Sequence, residues 1–269
     1  MSVGFSEKNI FKYYAKDRSW AFDGDIVAHE KDVFINVNGR LFATLRASEG
    51  DMKELAVGHM FSCGLITRYG DVASMDVYGN TVNVILKAAP GPDTLKASYM
   101  APSWKTSADT IFEGVKHLQE AFLYRKTGAF HAGLLLRRDG LRHFLVEDIG
   151  RHNVVEKVIG RALMQDVDMG ECILLISGRL MCELVSKVTL AGIPIFGSVS
   201  ATTCEAAALA EGCGMTLIGF ILFRYCVCPM MFLASCGMTL IGFIREGRMN
   251  VYTHPARIAE FDETRINNN

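Results

Sequence analysis

Seven consecutive residues, Glu147-Asp148-Ile149-Gly150-Arg151-His152-Asn153, hold two carboxylates, a guanidinium, an imidazole and a carboxamide at the end of an apolar run. So many ionisable groups at one strand end are costly to bury without a use. The chemistry that fits is anion binding: the planar guanidinium of Arg151 matches a phosphate, and the free N–H groups of a following helix add to it. A plainer reading has Asn153 capping that helix and Arg151 paired with a neighbouring acid. Three other clusters are built alike. Thr127-Gly128-Ala129-Phe130-His131-Ala132-Gly133 sets one imidazole among small residues, although a histidine hydrogen-bonded in a turn would look the same. Ser177-Gly178-Arg179 follows the apolar run Cys172–Ile176, and Ser198-Val199-Ser200-Ala201-Thr202-Thr203 is a hydroxyl-rich helix start. Each alone is weak. Their recurrence at successive strand ends predicts a site for an extended, phosphate-bearing ligand.

Other chemistries fit poorly. The chain has no G-x-x-x-x-G-K-[ST] or G-x-G-x-x-G phosphate loop and no G-x-S-x-G elbow. A zinc deaminase needs H-x-E followed by P-C-x-x-C. Here His131-Ala132-Gly133 lacks the glutamate, and Ser177-Gly178-Arg179 stands where cysteines are wanted. Cys226-Val227-Cys228 is wrongly spaced for a zinc knuckle. The expectation is a site without metal.

The elements that must position these clusters follow from periodicity. Segments 33–37 and 41–45 read as strands around the tight turn Asn38-Gly39, and 51–61 as a helix with an acidic first turn. Strands are expected at 72–77 and 81–87, and a proline-bearing connection at 88–107. The first twenty residues read as a frayed lead-in. Beyond 107 the pattern is a helix at 111–124, strands at 132–136 and 144–146 around an Arg-Asp-Gly turn, and a helix at 154–163. A strand at 172–176, a helix at 181–190, a strand at 193–199, a helix at 204–211 and a strand at 215–220 complete it. This alternation predicts an α/β layered domain over 108–269, preceded by a smaller α+β unit over 1–107.

Composition narrows the classes. Half of the 269 residues are hydrophobic and 21% are charged, which excludes a wholly disordered chain. Twenty-eight Lys and Arg against 29 Asp and Glu leave a net charge of −1, without the basic footprint of a protein that coats nucleic acid or an anionic membrane. A local basic cleft survives that test. Seven of the eight cysteines fall among apolar runs in the second half and read as buried thiols of a reducing compartment. No apolar leader is evident at the N-terminus, so the expected location is cytoplasmic.

One repeat stands out. Gly214-Met215-Thr216-Leu217-Ile218-Gly219-Phe220 returns 23 residues later as Gly237-Met238-Thr239-Leu240-Ile241-Gly242-Phe243, each copy preceded by a cysteine. The stretch 225–244 is uncharged, which meets the length test for a membrane helix. Its Pro229 and glycines, and its copying of a core strand, instead mark 221–243 as an anomalous local duplication or a sequence error.

Together these motifs resemble the FdhD/NarQ family of formate dehydrogenase accessory proteins. The resemblance covers nearly the whole chain after residue 25. It is carried by Asn36-Val37-Asn38-Gly39, Glu54-Leu55-Ala56-Val57-Gly58, Thr127-Gly128 with His131-Ala132, the Glu147 to Asn153 run with Lys157, Ser177-Gly178-Arg179, and Ser198-Val199-Ser200-Ala201. The resemblance implies a cytidine-deaminase-like three-layer α/β/α domain without its zinc ligands, a smaller α+β N-terminal domain, and a homodimer. It implies a protein that takes sulfur from a cysteine desulfurase. The sulfur passes to molybdenum bis(molybdopterin guanine dinucleotide), which is held as a bound ligand and activates formate dehydrogenase. Phe243-Ile244-Arg245-Glu246-Gly247-Arg248 fall where the family contacts that cofactor, and two arginines flanking a glycine suit a pyrophosphate. Arg151, Arg179, Arg245 and Arg248 would hold phosphates, with His131, Glu147 and Asp148 ordering the pocket beside His152, Asn153, Ser177, Gly178, Ser198 and Ser200. The family's sulfur-carrying C-x-x-C corresponds roughly to 98–108, which here reads SYMAPSWKTSA and contains no cysteine. Cys63, at a helix end, is a poor substitute on sequence grounds. The alternative is therefore a cofactor carrier without sulfurtransferase activity.

Overall fold

The computed structural model describes residues 4–88, 98–101, 103–222 and 248–261. The expected clamp residues Phe243, Ile244, Arg245, Glu246 and Gly247 lie outside these, as does the duplicated segment from 223 onward; Arg248 is included.

From Phe5 onward the lead-in is not frayed. Strands β1 (Phe5–Tyr14) and β2 (Ser19–Ala28) pair antiparallel as a two-stranded ribbon. Cross-strand aromatic pairs brace it, Phe11–Phe22 with ring centroids 5.1 Å apart and Tyr13–Trp20 at 5.0 Å. These rings remain exposed, so the ribbon lacks the buried alternate positions by which a strand is usually read from sequence.

The next sheet has the order β4 (Arg40–Ala47), β3 (Lys31–Val37), β6 (Thr81–Leu86), β5 (Val72–Tyr78). Asn38 and Gly39 both adopt positive φ in the β3–β4 turn, as their types predict. Helix α1 (Met52–Ser62) covers this sheet with Leu55, Val57, Met60 and Phe61.

Six strands form the third sheet, ordered β12 (Arg248–Val251), β11 (Thr216–Leu222), β10 (Ile195–Ser198), β9 (Cys172–Ile176), β7 (His131–Arg137), β8 (Arg142–Asp148). β9, β10 and β11 run parallel, β7 is antiparallel to both its neighbours, and β12 is antiparallel to β11. Every residue of β9 is buried, because alternate side chains enter different layers. Ile173 and Leu175 pack with Ile111, Val115 and Leu118 of α2 (Ala108–Gln119). Leu174 and Ile176 join the cluster that holds α4 (Arg151–Met164), α5 (Cys182–Leu190) and α6 (Cys204–Gly212). This is the expected three-layer α/β/α arrangement. The same cluster continues through α1 into Val33, Ile35, Val82 and Val84 of the four-stranded sheet.

Helices α1 and α4 cross at a glycine contact. A Cβ built on Gly58 would stand 1.8 Å from the carbonyl oxygen of Glu156, and one on Gly160 1.9 Å from that of Glu54. The pairing of 58 with 156 and 54 with 160 makes the two helices antiparallel.

Several boundaries differ from the periodicity. The expected helix 111–124 begins at Ala108, where the Ser107 hydroxyl accepts the Thr110 N–H at 3.1 Å, and breaks before α3 (Phe122–Thr127). The helix expected from 154 begins at Arg151, so Asn153 lies inside its first turn and is not its cap. The first repeat copy supplies β11, and Tyr252 and Thr253 bond to that copy through the Leu217 backbone. Cysteine burial also departs from expectation. Cys172 is buried, but Cys63, Cys182 and Cys204 are exposed and Cys213 half-buried, all as free thiols. Among the described residues no helix is long and apolar enough to cross a membrane.

Candidate functional site

Strand direction gathers the clusters on one edge of the six-stranded sheet. Register pairs His131 with Asp148, Gly133 with Ile176, Ser198 with Ile176, Gly197 with Ile218, and Leu222 with Arg248. The start of β7, the end of β8, the ends of β9 to β11 and the first residue of β12 therefore share a rim. That rim carries His131, Glu147, Asp148, Ser177, Gly178, Arg179, Ser198, Ser200 and Arg248, with Arg151 and His152 opening α4 beside it.

Two kinds of residue occupy this rim. The first kind braces it. Ser177 Oγ accepts the Ala132 N–H at 3.0 Å and lies 3.3 Å from His131 Nδ1. The hydroxyl of Ser198 donates to the Gly178 carbonyl at 2.6 Å and accepts the Ser200 N–H at 2.9 Å, tying adjacent loops together. Glu147 Oε1 accepts the Tyr124 N–H at 2.7 Å in the first turn of α3. Asp148 is wholly buried. It accepts from Ser48 Oγ at 2.9 Å, from the Gly150 N–H at 2.8 Å and from Asn153 Nδ2 at 2.8 Å, and pairs with Lys157 Nζ at 2.7 Å. Asn153 Nδ2 also donates to the Arg46 carbonyl at 2.8 Å. Its amide thus fastens α4 to the N-terminal sheet.

The second kind keeps unused donors. Among the described residues, Nε of Arg151 and Nε of Arg248 are buried without a hydrogen-bond partner. Among the same residues, Arg151 Nη2 donates to the sulfur of Met181, at 3.3 Å. His152 Nε2 is 3.0 Å from Glu183 Oε2, and Arg179 is exposed. Gly178 permits close packing, since a Cβ there would stand 3.0 Å from Arg151 Cβ and 3.4 Å from His131 Nδ1. Burial, then the positive charges of Arg151 and Arg179, lower the His131 pKa against the opposing pull of Asp148. His152 is lowered by burial and then by Lys187 and Arg151, with Glu183 opposing. Neutral imidazoles beside orphaned guanidinium donors make a seat for an anion.

Cleft volume does not follow this chemistry. A cleft of ≈ 720 Å³ lies at the opposite edge between Arg137, Arg138, Asp139, His143, Asp168 and Glu171. A smaller one of ≈ 450 Å³ opens beside the rim, lined by His29, Glu30, Arg46, Ala129, Ile149 and Gly150. Donor geometry is the better guide, because a phosphate is recognised by aimed N–H groups. Among the described residues no three of His, Cys, Asp and Glu gather as a metal site.

The segment equated with the sulfur-carrying loop also lies at the far edge. The Met100 N–H donates to the Cys213 carbonyl at 2.9 Å, and Trp104 Nε1 donates to the Gly170 carbonyl at 2.9 Å, both before the starts of parallel strands. Sequence reasoning missed a second cluster, in which Glu156 Oε1 lies 2.9 Å from His59 Nδ1 and 2.5 Å from Lys187 Nζ. His59 Nε2 in turn faces Cys63 Sγ at 3.8 Å. The i, i+4 spacing of His59 and Cys63 was the available signal; Glu156, nearly a hundred residues away, had none.

A sequence model of the FdhD/NarQ family matches residues 92–226. The "Sulfur carrier protein FdhD" of Sulfurisphaera tokodaii is 31% identical over 93% of this chain and 98% of its own length. That of Saccharolobus solfataricus is also 31% identical, over 95% of this chain and 100% of its own length. A crystal structure described as a formate dehydrogenase accessory protein from Desulfotalea psychrophila superimposes with a TM-score of 0.77 at 22% identity, over 95% of this chain and 99% of the other, which establishes the fold. With family match, full-length relatives and fold in agreement, the chain belongs to the FdhD/NarQ family.

Proposed function

We propose that this protein is a formate dehydrogenase accessory protein and sulfur carrier. In this reading the rim from His131 to Arg248 binds molybdenum bis(molybdopterin guanine dinucleotide) as cargo. The observation that carries it is the pair of buried, partnerless Nε atoms of Arg151 and Arg248 on one edge of the sheet. That cargo has two pyrophosphates, and orphaned guanidinium donors are what a pyrophosphate satisfies. Arg179 and Arg245, three positions before Arg248 in the sequence, would add charge, while Ser177, Ser198, Asp148 and Asn153 hold the loops in place. The molybdenum centre supplies the reactive metal; this chain's residues bind and orient the dinucleotide arms. Sulfur would come from a cysteine desulfurase, the client would be formate dehydrogenase, and the setting would be cytoplasmic.

Calorimetry with GDP tests the rim directly. The intact protein should bind it, and Arg151→Ala should weaken binding about ten-fold or more. Absence of binding, or affinity unchanged in the variant, would refute the cargo site.

A homodimer belongs to the same reading. The exposed Phe11, Trp20 and Phe22 of the β1–β2 ribbon offer a surface that a second copy could cover. Sedimentation of the intact protein against Trp20→Ser/Phe22→Ser decides this, since a dimer untouched by the substitutions places the interface elsewhere.

The absence of cysteine from 98–108, with that segment on the edge away from the rim, favours the carrier-only alternative unless another thiol takes up the sulfur chemistry.

A further inference from the structure

We propose that Cys63 is a nucleophilic sulfur paired with the imidazolium of His59, which Glu156 orients, and that it accepts the outer sulfur of a protein persulfide. The nature of the sulfur donor rests on the sulfur-carrier reading; the three-residue relay does not.

Cys63 is the exposed C-cap residue of α1, and its N–H donates to the His59 carbonyl at 3.0 Å. That helical geometry lays the thiol over the imidazole, with Sγ 3.8 Å from Nε2. On the other side of the ring, Nδ1 is 2.9 Å from Glu156 Oε1. The Glu156 side chain is only 2% exposed and is held from a second direction by Lys187. An imidazole bound to a fixed carboxylate through Nδ1 keeps its proton there and presents Nε2 to the thiol. The edge of the ring also meets Phe42, with centroids 5.7 Å apart, which limits its rotation. A nucleophile beside a base that a third group orients is the recognised arrangement for covalent catalysis. His59 is suited to the role. Burial opposes its charged form, but the contacts with Cys63 and Glu156 prevail and raise its pKa to about 9, so the ring is charged near neutral pH and its Nε2–H is available to the leaving sulfur. Cys172, by contrast, is pushed up to about 12 by burial and then by Asp168 and Glu171.

Placement supports the role too. α1 and α4 run antiparallel from the contact of Gly58 with Glu156, and Cys63 and Arg151 each lie five residues beyond it. At 1.5 Å per residue both are about 7.5 Å from the crossing, on the same side. The end of α1 that carries Cys63 and the start of α4 that carries Arg151 thus lie on the same side of the crossing.

The step balances without an oxidant. With His59 charged beside it, the Cys63 thiolate attacks the outer sulfur of the donor R–S–SH. The Cys63 S–S bond forms as the donor's S–S bond breaks. The electron pair leaves on the donor sulfur, which takes the proton from His59 as R–SH.

Site-resolved alkylation of the full chain with iodoacetamide tests the relay. Cys63 should react about ten-fold faster than Cys204, and His59→Ala or His59→Gln should remove that advantage while Cys204 is unchanged. Equal rates at Cys63 and Cys204, or a Cys63 rate indifferent to His59, would overturn the relay. Because Glu156 is buried, the His59 variants carry the test, with circular dichroism confirming their fold. Glutathione persulfide then probes sulfur transfer. Mass spectrometry should find the added sulfur on Cys63 and lose it in Cys63→Ser; added sulfur elsewhere, or none, refutes the acceptor role. GDP binding is scored separately, so failure of the rim and failure of Cys63 are told apart.

Discussion

Asp148 and Lys157 form an ion pair from which water is excluded, with Nζ 2.7 Å from Oδ2 and the side chains 0% and 1% exposed. Asp148 also accepts from Ser48, Gly150 and Asn153, so one carboxylate joins the N-terminal sheet, the rim loop and α4. Removing one partner leaves the other charge buried and uncompensated. Lys157→Met should therefore lower stability by about 3–5 kcal/mol in urea unfolding. Asp148→Asn combined with it should cost less than the sum of the single changes. Strict additivity would show that the pair is not coupled.

Gly58 and Gly160 set how closely α1 and α4 approach. Gly58→Ala puts a methyl into the Glu156 backbone, which cannot yield as a side-chain tip would. We expect a loss of about 1–3 kcal/mol or more, and slower alkylation of Cys63 as the His59–Glu156 contact opens. A variant as stable as the parent would mean that the helices separate freely there.

The His59–Glu156 contact should shape stability against pH. The His59 pKa is raised from 6.5 to about 9, so its contribution is complete below pH 6.5 and is lost as pH rises through 9. Glu156 is pushed up by burial but held below its ordinary 4.5 by the hydrogen bond from His59 and the charge of Lys187. Its share is present above pH 4.5 and is lost on further acidification. The alkaline loss should not exceed about 3 kcal/mol. Urea unfolding of His59→Gln should lack the decline between pH 6.5 and 9, and a wild-type profile flat across that window would contradict the assignment.

His131 reports on the rim. Burial, and then Arg151 and Arg179, lower its pKa, so a bound anion that neutralises those guanidinium groups should raise it. The imidazole resonance, followed by NMR with and without GDP, should titrate at higher pH in the complex. An unmoved midpoint would place the nucleotide away from Arg151.

Element types were legible along the chain because period-two alternation in 81–86 and the all-apolar run of Cys172–Ile176 are nearest-neighbour patterns. The ribbon β1–β2 escaped for the converse reason, since its alternate residues face solvent and one another. The start of α4 was misplaced by one turn because Asn153 looks like a cap in sequence, while its amide is committed to Arg46 and Asp148.

What the sequence determined by itself was the presence of strand-end clusters rich in arginine, histidine and small residues, and the α/β layering that carries them. Only the tertiary structure decided that the clusters share an edge, that Asp148 and Asn153 serve as braces while Arg151 and Arg248 keep open donors, and that Glu156 stands behind His59 and Cys63. Strand order, strand direction and helix crossing are long-range choices made by packing in the common core, and no local spacing encodes them.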